Sequence, residues 1–527
     1  MARIYATALL YATEARCSTD ADGGAHMPAQ VTTRAQVNGY RFLIRRLEHA
    51  LIRADSRMIH DPMRGQIRSL LVGLVVAILI TGAAGVLAFF KPSPNIGNAQ
   101  ILLSANGGLY VRIGDRLHPV LNLASARLIT GKPDAAKSVS DKWLNQLPRG
   151  PMVGIIGAPT GIHGGADMRT SLWTVCDAIT TPDVSKSVGT ASVQTTVVAG
   201  DLTLDDDIRR ASSAQMLLVR AGDTVYLIFD GVRAVIDPSD SVVVNALHLQ
   251  NARLRPISGA LLNSFPLVPP IGPMIIPGAG SVIPGLPATY PVGAIVKTVD
   301  SRGEQLYVVL PNGLQPVSPA AADIIRYSNP AEALSQGAHE VSPAVISHVP
   351  IVHTLPLDHY PSVSPQIVDD EPDRVVCMAW ERANSAAQAT VRVLVGHRLP
   401  IPAGAQPVGL ATADGNGPGV DSVYVKPGTG EYVQATGGGT DSRAMGQLFY
   451  ISDAGVRYHI KDLPTAAALG VTGVRNPGDD SEVPQLAPWP VVSLLPAGPE
   501  LSQEAALVAH DGMGADPRGL KVEPPKS

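Results

Sequence analysis

The sequence lacks the short motifs that mark phosphate, zinc and hydrolytic sites. A phosphate-binding loop of the form G-x4-G-K-[ST] needs glycines for a backbone nest, a lysine for the terminal phosphates and a hydroxyl for magnesium. The only Gly-Lys pair, Gly131-Lys132, has Ala126 where the first glycine belongs and Pro133 where the hydroxyl belongs. The glycine-rich stretch GAPTGIHGG from Gly157 carries no lysine and reads as a turn-rich core segment. His348, His353 and His359 with Asp358 form the densest histidine region. Their spacing matches no helix-face zinc pattern such as H-E-x-x-H, so they read as surface histidines. There is no G-x-S-x-G elbow, although a triad assembled from distant residues stays open. No catalytic, cofactor-binding or metal-ligating residue is assigned.

Charge and aromatics are also scarce, at 16% and 4% of the residues. Beyond the first 68 residues the balance is acidic, with 31 Lys and Arg against 39 Asp and Glu, and no basic stripe with interleaved aromatics. Nucleic-acid binding is therefore poorly supported as a function. What is abundant is Gly (51) and Pro (45), which favours short strands, turns and extended connectors over long helices. A chain of 527 residues exceeds what one core can organise, so several folded units are expected.

One segment does run long without an ionisable group. Ser69–Phe90, SLLVGLVVAILITGAAGVLAFF, is about 22 residues, enough at ~1.5 Å per residue to cross a hydrocarbon core of about 30 Å. It is too long and too far into the chain for a secretory signal, and reads as a retained single-pass anchor. Arg53, Arg57, Arg64 and Arg68 precede it and only Lys91 follows closely, so the N-terminus is expected in the cytoplasm and the rest outside. That leaves Cys17 inside, and Cys176 and Cys377 as an even pair in an oxidising compartment, where a disulfide is expected.

Ahead of the span, Val37, Tyr40, Ile44, Leu47, Leu51 and Met58 recur mostly at three- and four-residue steps between basic residues. The period predicts an amphipathic helix from Thr33 to His60, capped by Thr32 or Thr33 and stopped by Asp61-Pro62. Its arginines, Arg41, Arg45, Arg46, Arg53 and Arg57, with Arg64 beyond it, suit a cytoplasmic partner or anionic membrane lipid; a solvated helix that only fixes orientation is the third role. Residues 1–26 lack periodicity and end before Met27, as an upstream start or a genuine leader would give.

After the span four segments share a grammar: LYVRIGDRLHPV, VYLIFDGVRAVI, LYVVLPNGLQPV and FYISDAGVRYHI. In register, Tyr110, Tyr226, Tyr307 and Tyr450 lead strands, while Gly114, Gly231, Gly313 and Gly455 sit in the turns. Glycine suits these turns because its backbone takes positive φ without a Cβ penalty. Three of the four are preceded by a further strand and turn. The irregular spacing of the copies excludes a tightly stacked solenoid and predicts four small modules around a core. That core should contain LWTVCDAI and RVVCMAWERA, stapled by their cysteines.

The expected fold is α+β, mainly β: one transmembrane helix, then a large extracytoplasmic domain of four small β-hairpin repeats around a disulfide-bonded central core. The expected order is an extension (1–32), the basic helix (33–68), the span (69–90), repeat 1 (100–150) and a first segment of the central core (151–200). Repeat 2 (201–262), a Pro-rich extended connector (263–291), repeat 3 (292–340) and a second segment of the central core (341–415) follow. Repeat 4 (416–475), a C-terminal segment (476–510) with a helical candidate at Glu500–His510, and a disordered tail (511–527) complete it.

The stretch QVNGYRFLIRRLEHALIRADSRMIHDPMRGQIRS from Gln36, with Gly39-Tyr40, Arg45-Arg46, Asp55 and Asp61-Pro62 ahead of one apolar span, resembles the N-terminal segment of EccB proteins. The likeness runs through the hairpins, the Pro-rich middle and the two outer cysteines, over about residues 27–510. The resemblance implies a structural core subunit of the type VII (ESX) secretion complex in the mycobacterial inner membrane. Implied partners are the EccC motor ATPase, EccD, EccE, the mycosin protease and a second copy of the chain. It also implies a periplasmic outer domain with four repeats around a disulfide-bonded core. An ATP-hydrolysing role, sometimes ascribed to the family, and a peptidoglycan-binding anchor are the alternatives.

Overall fold

Thr33 is extended at the start of the first helix, and the Gln36 side-chain oxygen accepts its N–H at 2.9 Å, one half of a capping box. The helix, α1 (Arg34–Arg53), stops where Ala54 turns left-handed. A left-handed residue breaks the helical hydrogen-bond ladder; Met58, His60 and the Asp61-Pro62 stop lie outside the described residues. The second helix, α2 (Met63–Phe90), contains the uncharged run but begins six residues before Ser69, taking Arg64 and Arg68 into its first turns. Arginine is a good helix former, so the helix does not stop where the apolar run does. Within it, Arg68–Val86 is the one candidate membrane span among the described residues.

The computed structural model describes residues 33–54, 63–90, 98–163, 170–180, 192–301, 303–329, 334, 337–415, 419–471, 473–475 and 482–512. They divide between a unit ending at Ser93, which holds α1 and α2, and a unit from Pro94 onward. Arg57 and the expected extension and tail, but for residues 511 and 512, lie outside the described residues.

The second unit is mainly β, and its hairpins occupy four separate sheets. In the first, Ile101–Ser104, Leu109–Ile113 and Arg116–Pro119 run antiparallel; the helix Leu123–Thr130 then returns the chain to Lys137–Val139, parallel to Ile101–Ser104. The second has Gln215–Ala221, Thr224–Phe229 and Val232–Ile236, the helix Ser241–Ala246 and the parallel strand Arg255–Pro256. The third repeats this with Ile295–Asp300, Gly303–Leu310, Gly313–Val317, Pro319–Tyr327 and His339–Glu340. In the fourth, Gly430–Thr436, Leu448–Ser452, Arg457–Ile460, Leu463–Leu469 and Gln485–Pro488 follow the same order. Each of these four helices starts on a side-chain cap, from Asn122, Asp240, Ser318 and Asp462.

Between these sheets lies a seven-stranded sheet with the order Val408–Gly409, Ser422–Val425, Ser192–Ala199, Thr170–Thr180, Val375–Ala383, Thr390–Gly396, Ile208–Arg210. One face carries Trp173, Val175, Met378 and Trp380 into a core closed by Leu261, Phe265, Val491 and Val492. The other face carries Cys176 and Cys377 beneath Leu202, Leu204 and Leu399. The two cysteines are direct partners in the antiparallel register and form a disulfide with Cα atoms 4.0 Å apart. The second and third sheets share one core, and Leu128, Tyr432, Tyr450 and Leu469 join the first to the fourth.

Several expected boundaries differ. The central sheet draws Ile208–Arg210 and Ser422–Val425 from stretches assigned to the second and fourth repeats. It draws nothing from 151–163 or 341–374, where Met152–Val153 pairs with Ala509–His510, Ile351 bridges Leu314, and Gln366–Ile367 pairs with Gln215–Met216. The Pro-rich stretch is not a free spacer: Leu267–Ile271 lines up parallel with Val232–Ile236, and Ile276, Ile283 and Leu286 are buried in the shared core. The fourth hairpin also has a preceding strand, Gly430–Thr436, disguised by a longer connection. The C-terminal helical candidate shortens to Gln503–Ala506 before the closing strand. All of these pairings are long-range, and sequence period does not carry partner identity.

Gly114, Gly231, Gly313 and Gly455 all have positive φ. A Cβ on Gly231 would lie 2.5 Å from the Val391 carbonyl oxygen of the central sheet, whereas one on Gly114 meets nothing within 4 Å. Gly114→Ala is expected to cost about 1 kcal/mol from the left-handed backbone alone. Gly231→Ala should cost distinctly more, read as a lower midpoint in urea unfolding, because backbone cannot yield as a side chain can.

Candidate assembly site

On the fourth sheet the connection 437–447 folds back over the strand it leaves. Ser442 Oγ accepts from the Gly437 N–H at 3.0 Å, and the Gly446 N–H donates to the Ala435 carbonyl at 2.8 Å. Arg382, from the central sheet, ties this down by donating to the carbonyls of Ala386, Ala387 and Ser442 at 3.2–3.3 Å. Its guanidinium is thereby occupied by main chain. The outcome is two adjoining cavities of about 480 and 390 Å³ that share Met445. Their walls are mostly apolar: Leu448, Leu463, Val483, Pro484 and Leu486 in one, with Arg382, Asn384 and Gln434 at its edge, and Phe449 and Trp489 in the other. Met445 is 69% exposed and Leu463 61%, with Trp489 and Val483 partly open beside them. Trp489 is held rigid, stacked on Phe449 at 5.6 Å and covered by Arg457 at 5.3 Å. Large apolar side chains held open along a preformed groove are what a protein partner covers, not what a polar metabolite binds.

A buried polar staple holds the core to which this sheet is joined. Asp177, next in sequence to Cys176, is 1% exposed. It accepts from the Ser258 N–H at 2.7 Å, the Ser258 hydroxyl at 2.8 Å and the Thr195 hydroxyl at 2.9 Å. Burial pushes its carboxyl up, opposed by those donors and by Arg255. Arg255, equally buried, donates to the carbonyls of Asp373 and Arg374 at 2.7 and 2.8 Å, and Arg209 makes a two-pronged pair with Asp373 at 2.9 and 3.2 Å. Burial pushes the Arg255 guanidinium down, while Asp370, Asp177 and Asp373 act against that. None of these residues is assigned from sequence; the only signal is an acid placed inside the apolar strand LWTVCDAI.

The expected contacts on α1 are exposed. Val37, Tyr40, Ile44, Leu47 and Leu51 form an uncovered stripe, with Arg41, Arg45 and Arg46 exposed on the same helix. Arg53 ends that helix and Arg64 begins α2. Gly131 is the left-handed cap of the helix Leu123–Thr130, which accounts for the Gly-Lys pair without a phosphate. Gly157 is in a left-handed turn against Pro499. His348, just past the short helix Pro343–Ile346, bonds back to the Ala344 carbonyl, and His359 packs on Tyr360. Among the described residues no group of three or more His, Cys, Asp or Glu side chains gathers as a metal site.

The family described as type VII secretion system ESX-1, transport TM domain B, matches residues 29–515. This chain belongs to the EccB family. It is a core membrane subunit of type VII secretion. The ESX-3 secretion system ATPase EccB3 of Mycobacterium tuberculosis is 39% identical over 508 residues, 92% of this chain and 91% of its own. ESX-1 secretion system ATPase EccB1 of the same species is 35% identical, over 94% and 98%. Among solved structures, a chain of an intact ESX-5 inner membrane complex superposes with a TM-score of 0.67 at 32% identity, covering 95% of this chain and all of its own. The EccB3 dimer from the ESX-3 core complex superposes at 0.64 and 33% identity, covering 78% of this chain and all of its own. Membership of the EccB family accounts for the mainly β fold with one apolar N-terminal helix.

Proposed function

We propose that this chain scaffolds the periplasmic side of the inner-membrane secretion complex. The α1 helix stands in the cytoplasm, α2 is the single span, and the outer unit is four copies of one sheet module around the disulfide-bonded sheet. The arginines before the span support that orientation, and the shared order of strands and helices in four sheets supports the repeat reading. The observation that carries the assembly role is the open apolar groove at Met445, Leu463 and Trp489. Its occupant is a second copy of this chain, in keeping with a relative that forms a dimer within its core complex. EccC, EccD, EccE and mycosin are the other partners the family implies, and α1 is the cytoplasmic contact, with lipid or protein.

Affinity purification of the tagged protein extracted from its host membrane tests this. Recovery of EccC, EccD and EccE in one large particle is the expected result; a lone chain, or one that sediments with purified cell wall, would sink it. Met445→Asp is expected to weaken self-association by at least about ten-fold, since a charge in an apolar contact costs over 1.4 kcal/mol. Sedimentation velocity reads the loss, and an unchanged melting curve shows that the exposed position leaves the fold intact.

A second reading comes from the name ATPase carried by the EccB3 and EccB1 relatives. It requires magnesium-dependent ATP turnover by the purified chain. Turnover that follows EccC contamination from fraction to fraction would dismiss it.

A further inference from the structure

The strand Gly430–Thr436 sends Val433 and Ala435 into the core it shares with the central sheet. Strand alternation places Glu431 on that same face. The side chain is 7% exposed, and among the described residues no donor pairs with its carboxylate. A carboxylate so largely buried is costly when charged, because it gives up most of its water. The charge that acts on it is a second acid, Asp201, two residues past the central strand Ser192–Ala199. From the neighbouring strand Leu448–Ser452 the Tyr450 hydroxyl is coupled to it as well, and Tyr450 itself feels Asp453 and Tyr458. Asp453 is engaged by the Gly428 N–H at the turn before the strand. The groups around Glu431 are thus acids and phenols.

We propose that the seam between the central sheet and the fourth sheet is a proton-operated latch, closed while Glu431 is protonated and loosened when Glu431 and Asp201 are both charged.

Burial first, and Asp201 second, push the Glu431 carboxyl up to about 7. An acid raised on folding binds its proton more tightly in the native state. Seam stability is therefore greatest below the ordinary value of 4.5, falls as pH rises from there towards 7, and levels off above. The latch therefore loosens on the acidic side of neutrality, between the ordinary value of 4.5 and about 7. Its consequence for assembly rests on the groove reading, because Gln434 and Ala435 of the same strand wall the groove. The latch itself does not.

Hydrogen exchange of the full-length, detergent-extracted protein, corrected for intrinsic rates, tests the latch at pH 5.5, 7 and 8.5. Opening of the peptides over 430–436 and 192–201 is expected to rise at least about ten-fold across that range, the equivalent of one pKa unit. Glu431→Gln should stay closed throughout. Asp201→Asn, at an exposed position, should reduce the rise with no risk to folding. A flat wild-type profile, an unchanged rise in Glu431→Gln, or an unchanged rise in Asp201→Asn overturns the proposal. Unchanged self-association in Met445→Asp, beside a wild-type exchange profile that rises as expected, would count against the groove and leave the latch standing.

Discussion

Asp177→Ala is expected to lower stability by about 3–5 kcal/mol, as much as the loss of a large buried aromatic side chain. Three donors converge on this carboxylate, two from Ser258 and one from Thr195, and all three are buried. Alanine would leave the Ser258 N–H, at the start of the helix Gly259–Ser264, with no acceptor, and would leave Arg255 without one of the acids that offset its burial. Asp177→Asn separates charge from hydrogen bonding. The amide oxygen can accept from the Ser258 N–H, while the two hydroxyls rotate to accept from the amide nitrogen. Asparagine should therefore recover most of what alanine loses. Burial raises the Asp177 carboxyl, so the charged form is the disfavoured one and asparagine is expected to do best, relative to wild type, at the alkaline end. Urea unfolding followed through Trp173 and Trp380, buried on the same face of the same sheet, reads each step. Equal losses for alanine and asparagine would show that packing, not the donor set, holds this corner.

Replacing Cys176 and Cys377 together by alanine is expected to cost about 2–5 kcal/mol. The bridge joins residues 201 apart in sequence, a long loop whose closure the unfolded chain otherwise resists. Its partners are already neighbours on paired strands, so the native sheet should survive the exchange, and the change should fall on the unfolded state. Both sulfurs are fully buried, which predicts that a thiol reductant leaves the folded protein untouched and reduces the bond only as the sheet opens. Thermal melting with and without reductant, against the double alanine variant, checks both statements. A native protein reduced as fast as an unfolded one would refute the second.

Elements whose cause is local are legible in the chain itself. The candidate membrane span is a run with no charge, and the hairpins are alternating strands closed by glycines with positive φ. The disulfide is anticipated by the parity of Cys176 and Cys377, the two cysteines after the candidate span. Where expectation and structure part, the cause is a partner far along the chain. Leu267–Ile271 is rich in proline and extended, as its sequence demands, yet becomes a strand because Val232–Ile236 offers an edge to it. The stretch at Glu500–His510 has helical spacing, but Ala509–His510 is taken by Met152–Val153.

The candidate site divides in the same way. Arg41, Arg45 and Arg46 stand out because their helix is periodic by itself. Met445, Leu463, Val483 and Trp489 do not, since each belongs to a different segment and is ordinary in its own context. Asp177 and Glu431 become unusual only through what surrounds them. The sequence by itself determined the span, the hairpins and the cysteine pair, since hydropathy, alternation and positive-φ glycines act over a few residues. Tertiary structure alone decided which strands share a sheet, which apolar side chains stay uncovered and which carboxylates lose their water, because burial and pairing are properties of neighbours that the chain brings from hundreds of residues away.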